Sequence, residues 1–310
     1  MPIKVPEKLP AISHLVKEGI IPITEKAATR QDIRPLRIGL LNLMPNKQET
    51  EIQILRLLGA TSLQIEMTLV SMSCYTPRNI SIEYMQNFYR QWNQVSQEKF
   101  DGFIVTGAPV EHLPFEDVFY WKELMSIMDW TRKHVHSTIF ICWGAQASCY
   151  YFYGIPKDNL QEKAFGCARH IISSNTQNSP FLRGFSDNIS LPVSRRSESS
   201  SESILKSHLH VLLENELSKS PSILYDPQYM SLYMFDHIEY DTMSLDKEYK
   251  RDIALGKKIV PPFNYYENND PSNQPINTWR AHAHLLFANW INEVYQTVPY
   301  DINEIGLKRR

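Results

Sequence analysis

The chain predicts an α/β fold, a mostly parallel twisted sheet with helices on both faces, and two patterns carry that prediction. From Arg37 onward, short β-branched and apolar runs alternate with amphipathic helical stretches, the pattern of strands joined by crossover helices. Loops rich in Gly, Pro and polar residues follow several of the runs, at the strand ends where sheets of this kind bind ligands. In order, Ile38–Leu43 reads as a strand, Glu49–Leu58 as a helix, Ile65–Val70 as a strand and Ser81–Gln94 as a helix. Phe103–Thr106 follows as a strand, Phe119–Arg132 as a helix, Thr138–Ile141 as a strand, and a helix runs from about Ala145 through Tyr151. Far downstream, Leu286, Trp290 and Val294 repeat at four-residue spacing, so Ala281–Tyr295 reads as a helix with one apolar stripe.

The organisation is one domain with two appendages. Prolines at 2, 6, 10 and 22 break up the opening residues, which suggests an arm over 1–34 packed on a single α/β domain of 35–300. Residues 301–310 read as a flexible tail. The stretch Arg195–Ser203, RRSESSSES, reads as a mobile surface loop.

Composition narrows the function. A net charge of −2 without a dense basic stripe argues against a nucleic-acid partner. No apolar run is long enough for a signal peptide or a membrane span, so the protein is expected in the cytoplasm. The four cysteines, Cys74, Cys142, Cys149 and Cys167, show neither CxxC nor zinc spacing, which predicts free thiols. No metal site is expected; His282 and His284 are two apart on a helix and face different directions.

The chemistry concentrates on Cys142. The run TIFICWGAQA at 138–147 places it at a strand-to-helix turn, where a side chain projects from the sheet edge and the N–H groups of the next helix point at a ligand. A helix N-terminus also favours the thiolate. A nucleophilic thiol needs a base and an orienting group. His237 and Glu239, two apart after a run that reads as a strand in SLYMFDHIEYD, share one face if that segment is extended. The Trp143 N–H, with a second donor from the 107–111 loop, is the candidate oxyanion hole. Lys47 reads equally as a first-turn residue after the Asn46 cap or as a cation beside that hole.

ICWGAQA at 141–147, NLMPNK at 42–47, GAPVE at 107–111, HIEYD at 237–241 and WRAHAHLLFANWINEVYQTVPYD at 279–301 together resemble the homoserine O-acyltransferase family. The resemblance covers essentially the whole chain. It implies the class I glutamine amidotransferase-like (flavodoxin-like) architecture, Cys142 as the residue that becomes an acyl-thioester, His237 as base and Glu239 as its orienter. It also implies that Lys163 in EKAFG contacts substrate, that Ser194 in PVSR belongs to the acceptor site, and that Arg251 in EYKRD holds an amino-acid carboxylate. Glu111 matches the position tied to acyl-CoA choice, where glutamate goes with acetyl and glycine with succinyl. Physically, a carboxylate there repels the succinyl terminus. The chain departs from the family at Val193, where a histidine is usual, in the serine-rich segment that follows, and at Phe235-Asp236.

The expected function is therefore acetyl transfer from acetyl-CoA, a co-substrate rather than a bound cofactor, to L-homoserine. Serine O-acetyltransfer, homoserine O-succinyltransfer and amide hydrolysis of the glutamine amidotransferase type remain the rivals. The expected partners are small molecules, and a homodimer is left open.

Overall fold

The structure, a computed structural model, describes residues 3–4, 9–17, 34–74 and 79–306. The strands are β1 (Ile3–Lys4), β2 (Leu36–Leu41), β3 (Ile65–Ser71), β4 (Tyr89–Gln91), β5 (Phe100–Val105), β6 (Val135–Ile141), β7 (Lys157–Ile172), β8 (Ile189–Ser199), β9 (His210–Asn215), β10 (Pro221–Asp226) and β11 (Ser231–Met234). They form one sheet in the order β1-β3-β2-β5-β6-β11-β10-β9-β7-β8, with β4 also paired to β3. Pairing is parallel from β1 through β11 and antiparallel from β11 outward to β8. The parallel strands are buried almost throughout, β5 at every position, which explains their unbroken apolar runs.

Each face of the sheet carries its own core. On one, Ile54, Leu55 and Leu58 of the helix Lys47–Leu58 meet Leu286, Phe287 and Trp290 of the helix Arg280–Thr297. On the other, the helices Trp121–His134 and Trp143–Tyr153 pack Leu124, Ile127, Trp130, Ala145 and Cys149 against Phe103, Phe140 and Tyr233. The indole N–H of Trp290 donates to the Ser137 hydroxyl at 2.8 Å, so this core indole has its polar atom satisfied. Of the expected arm, β1 pairs with β3 and the helix Ala11–Lys17 lies against Lys47–Leu58; residues 1–2, 5–8 and 18–33 lie outside the described residues. At the other end the Lys99 ammonium donates to the Asn303 and Ile305 carbonyls, anchoring the first part of the expected tail; 307–310 lie outside the description.

Two elements differ from the sequence reading. The helix expected over Ser81–Gln94 is capped by Ser81 but ends at Phe88. Tyr89–Gln91 then pairs with Leu69–Ser71, because the edge of β3 offers backbone partners and Tyr89 buries its ring, and a separate turn of helix covers Trp92–Val95. The loop expected over Arg195–Ser203 is the end of β8 followed by the helix Ser201–Leu205, capped by Ser200. Arg195, Ser197 and Ser199 are buried; Ser197 donates to Gln146 at 3.0 Å. Polar composition suggested solvent there, but the Ser197 hydroxyl enters the core on its bond to Gln146.

Candidate active site

β6 ends at Ile141, and the chain turns sharply at Cys142 into the helix that begins at Trp143, two residues earlier than expected. Cys142 has φ 51° and ψ −118°, a strained conformation that costs about 1–3 kcal/mol at a non-glycine residue. Its surroundings impose that conformation. The Cys142 N–H donates to the Met234 carbonyl at 2.6 Å, continuing the ladder in which Ile141 faces Met234. A Cβ on Gly107 would stand 3.2 Å from the Cys142 Cβ, and one on Gly144 would stand 2.6 Å from the Thr106 carbonyl oxygen. Gly144 is therefore needed for the turn to nest against the loop after β5, and Gly107 leaves the Cys142 Cβ only a tight fit there. The Trp143 ring is buried against Phe115 and Tyr120, while its N–H lies in the first helical turn, whose amides lack intrahelical acceptors.

β11 is the sheet neighbour of β6, and the segment after it brings His237 beside Cys142. His237 and Glu239 sit in a tight turn closed by the Tyr240 N–H on the His237 carbonyl at 3.2 Å, not on an extended segment. The turn still puts His237 Nδ1 2.7 Å from Glu239 Oε1. The imidazole is buried, stacks on Tyr240 at 4.1 Å between centroids, and interacts electrostatically with Cys142. Burial alone would lower its affinity for a proton, but Cys142 and Glu239 outweigh burial and hold it well above the ordinary histidine value. The second Glu239 oxygen is buried without a hydrogen-bond partner. The other thiols are raised, Cys149 and Cys167 by burial, Cys167 to about 12, and Cys74 to about 11 by burial and Glu123. Cys142 differs from them in having an imidazole at hand. Thiol, imidazole and carboxylate in this order can activate a sulfur nucleophile.

The expected acceptor residues converge on one helix. Lys163 Nζ lies 2.5 Å from Glu248 Oε1, the Ser194 hydroxyl donates to both Glu248 oxygens at 2.9 Å, and Arg251 bonds Asp252 at 2.9 Å and lies 3.6 Å from Glu248. Lys163 is buried over the Phe165 ring, whereas Arg251 is 58% exposed, so its guanidinium can reach a small molecule from solvent. Burial raises Tyr240, reinforced by the charges of Glu248, Glu239 and Cys142, and its ring stacks on His237. Glu111 lies apart, its carboxylate accepting the Arg196 N–H at 2.9 Å.

Lys47 is both the first helical residue after the Asn46 cap and a buried cation. Its ammonium donates to the Asn42 carbonyl and faces the Tyr89 ring; burial lowers it to about 8, partly offset by Glu51. These partners follow β2 or lie on β4 and the helix Lys47–Leu58. No cluster of His, Cys, Asp or Glu suited to a metal occurs among the described residues. His282 bonds Ser186 at 3.1 Å and His284 lines a cavity of about 660 Å³ with Arg56, Glu239, Asp241 and Arg280. No described helix is long and apolar enough to cross a membrane.

A family model described as homoserine O-succinyltransferase matches residues 2–300. The chain belongs to that family. Among curated relatives, the homoserine O-acetyltransferase of Chelativorans sp. (strain BNC1) is 53% identical over 307 residues, covering 99% of this chain and 97% of that protein. That of Hyphomonas neptunium is 52% identical over 306 residues, covering 99% and 100%. Of solved structures, a glutamine amidotransferase from Thermotoga maritima has a TM-score of 0.56 at 13% identity, covering 84% of this chain and 99% of that one. One from Methylobacillus flagellatus has 0.52 at 14%, covering 84% and 95%. At such identities the solved structures share the fold alone, and it is the α/β architecture expected from the sequence. In this member of the homoserine O-succinyltransferase family, three charged groups beside the expected residues went unremarked as site residues: Glu248, on which Lys163 and Ser194 converge, and the buried pair Arg195 and Asp236. Asp236 precedes the histidine and Arg195 ends the PVSR block, so adjacency to those motifs was the available signal.

Proposed function

We propose that the protein is a homoserine O-acetyltransferase working through a Cys142 acyl-thioester. The observation that carries this reading is the Cys142–His237–Glu239 constellation, in a chain about half identical over its full length to proteins named for that activity. His237 accepts the thiol proton, sulfur attacks the acetyl-CoA carbonyl carbon, and the Trp143 N–H stabilises the tetrahedral oxyanion. The carbon–sulfur bond to CoA then breaks, and CoA leaves with the proton from His237. In the second half His237 takes the proton of the homoserine hydroxyl, whose oxygen attacks the thioester, and Cys142 is released. Arg251 is suited to the acceptor carboxylate and Glu248, with Lys163 and Ser194 around it, to the ammonium.

The family description names succinyl transfer and the relatives name acetyl. Glu111 favours acetyl here, because a fixed carboxylate repels a succinyl terminus. Acetyl-CoA enters as a co-substrate, residues 35–300 act as one acyltransferase domain, and the free thiols suit the cytoplasm. The product would feed methionine synthesis. The test crosses acetyl- and succinyl-CoA with L-homoserine and L-serine while thiol release is followed. Turnover with acetyl-CoA and homoserine, in parallel double-reciprocal lines, is expected, with Cys142→Ala reduced at least about a thousandfold. Preference for serine or for succinyl-CoA would overturn the substrate assignment, and full turnover by Cys142→Ala would overturn the thioester.

A further inference from the structure

The residue preceding His237 is a carboxylate with almost no access to water. Asp236 is 2% exposed; its Oδ2 accepts from the Ser222 hydroxyl at 2.5 Å and lies 2.8 Å from His170 Nε2, and its Oδ1 accepts from Arg195. His170 is itself anchored by Nδ1 on the Ala168 carbonyl at 2.9 Å. The second terminal nitrogen of Arg195 donates to Glu198 at 2.9 Å, and its Nε is buried without a partner. Buried ion pairs of this kind are expensive to desolvate and contribute little net stability, so a pair beside the relay calls for another role. The same strand reaches the relay a second time, through the Pro192 carbonyl that accepts the His237 N–H at 2.8 Å. Burial alone would lower Arg195, but the charges of Asp236 and then Glu198 raise it, in keeping with the two carboxylates that clamp it.

We propose that Arg195 is a positioning residue of the relay: clamped by Asp236 and Glu198, it fixes the turn that carries His237 and keeps a permanent positive charge beside that turn. This deepens the acyl-thioester reading and rests on it. The charged and titratable groups of the relay and the turn that carries it are then His237, Glu239, Tyr240 and Asp236, with Arg195, Glu198 and His170 bonded behind Asp236.

The experiment is the pH profile of iodoacetamide alkylation at Cys142 in the full chain, with the labelled peptide identified by mass. Arg195→Met alone leaves Asp236 buried without its main counter-charge and is prone to misfold. The deciding variant is therefore Arg195→Met combined with Asp236→Asn, which removes both charges. Its alkylation midpoint is expected about one pH unit or more above wild type, whereas Arg195→Lys, which keeps the charge, stays near wild type. A double variant with the wild-type midpoint overturns the proposal, leaving Arg195 a mere counter-ion for Asp236. An Arg195→Lys midpoint as high as that of the double variant overturns it as well. Failure of the parent reading shows separately, as a wild-type Cys142 that resists alkylation across the whole range, and it takes the proposal with it.

Discussion

Glu239 gives one oxygen to His237 and keeps the other buried and unpaired, so its charge matters as much as its reach. Glu239→Gln keeps the shape and removes the charge. The expected outcome is a fall in kcat of about 10–100-fold with KM little changed. Because Glu239 helps to hold His237 above its ordinary value, and His237 must be unprotonated to act as base, the acid limb of the rate profile should move to lower pH in the variant; a limb that stays in place would deny the carboxylate that role. Cys142, His237 and Glu239 were legible in the sequence because each carries a local signature, a turn or a two-residue spacing. Arg195 and Glu248 were not, because a charged residue in a polar string reads as solvated until its tertiary partners are known. Lys47 was half legible: its place after Asn46 is local, while its burial against Tyr89 depends on a distant segment.

The turn between β6 and the helix Trp143–Tyr153 depends on Gly144, where a Cβ would lie 2.6 Å from the Thr106 carbonyl oxygen and 3.2 Å from that of Val105. Both obstacles are backbone, so Gly144→Ala can be accommodated only by separating the helix from the β5 loop. A loss of about 1–3 kcal/mol in stability is expected, read by urea denaturation, with a larger proportional loss of acetyl transfer because the displaced helix carries the Trp143 N–H. Wild-type stability together with wild-type turnover would show that the close fit at this turn is not needed. At this scale apolar periodicity located β2, β3, β5 and β6 and the helices Lys47–Leu58, Trp121–His134, Trp143–Tyr153 and Arg280–Thr297, while the helix Ser244–Ala254 that carries Glu248 and Arg251 went unread. It failed for β4 and the end of β8, which are held by an open strand edge and by buried hydroxyls rather than by an apolar stripe.

Across the whole molecule, the buried Asp236 ties stability to acid. Burial alone would raise its carboxyl, but Arg195, His170 and Ser222 outweigh burial and hold it far below the ordinary 3.8. A depressed carboxylate contributes stability that is fully present above the unfolded value and is lost as pH falls toward the folded one. Urea midpoints should therefore drop below about pH 4 in wild type, and less steeply in Asp236→Asn; equal slopes would remove Asp236 as the source. The antiparallel extension β10-β9-β7-β8 was the least legible part of the fold, since its order in space depends on long-range pairing that no local pattern encodes. That extension also lies, in chain order, between the two strands that meet at the site: β6 ends at Cys142, β11 precedes His237, and in the sheet they are neighbours. On the ribosome, Cys142 is thus made well before its base, and every strand of the extension must emerge before β11 can dock. The sulfur gains its imidazole only when the sheet closes, so a nascent or truncated chain carries an ordinary thiol and chemical competence arrives with completed folding.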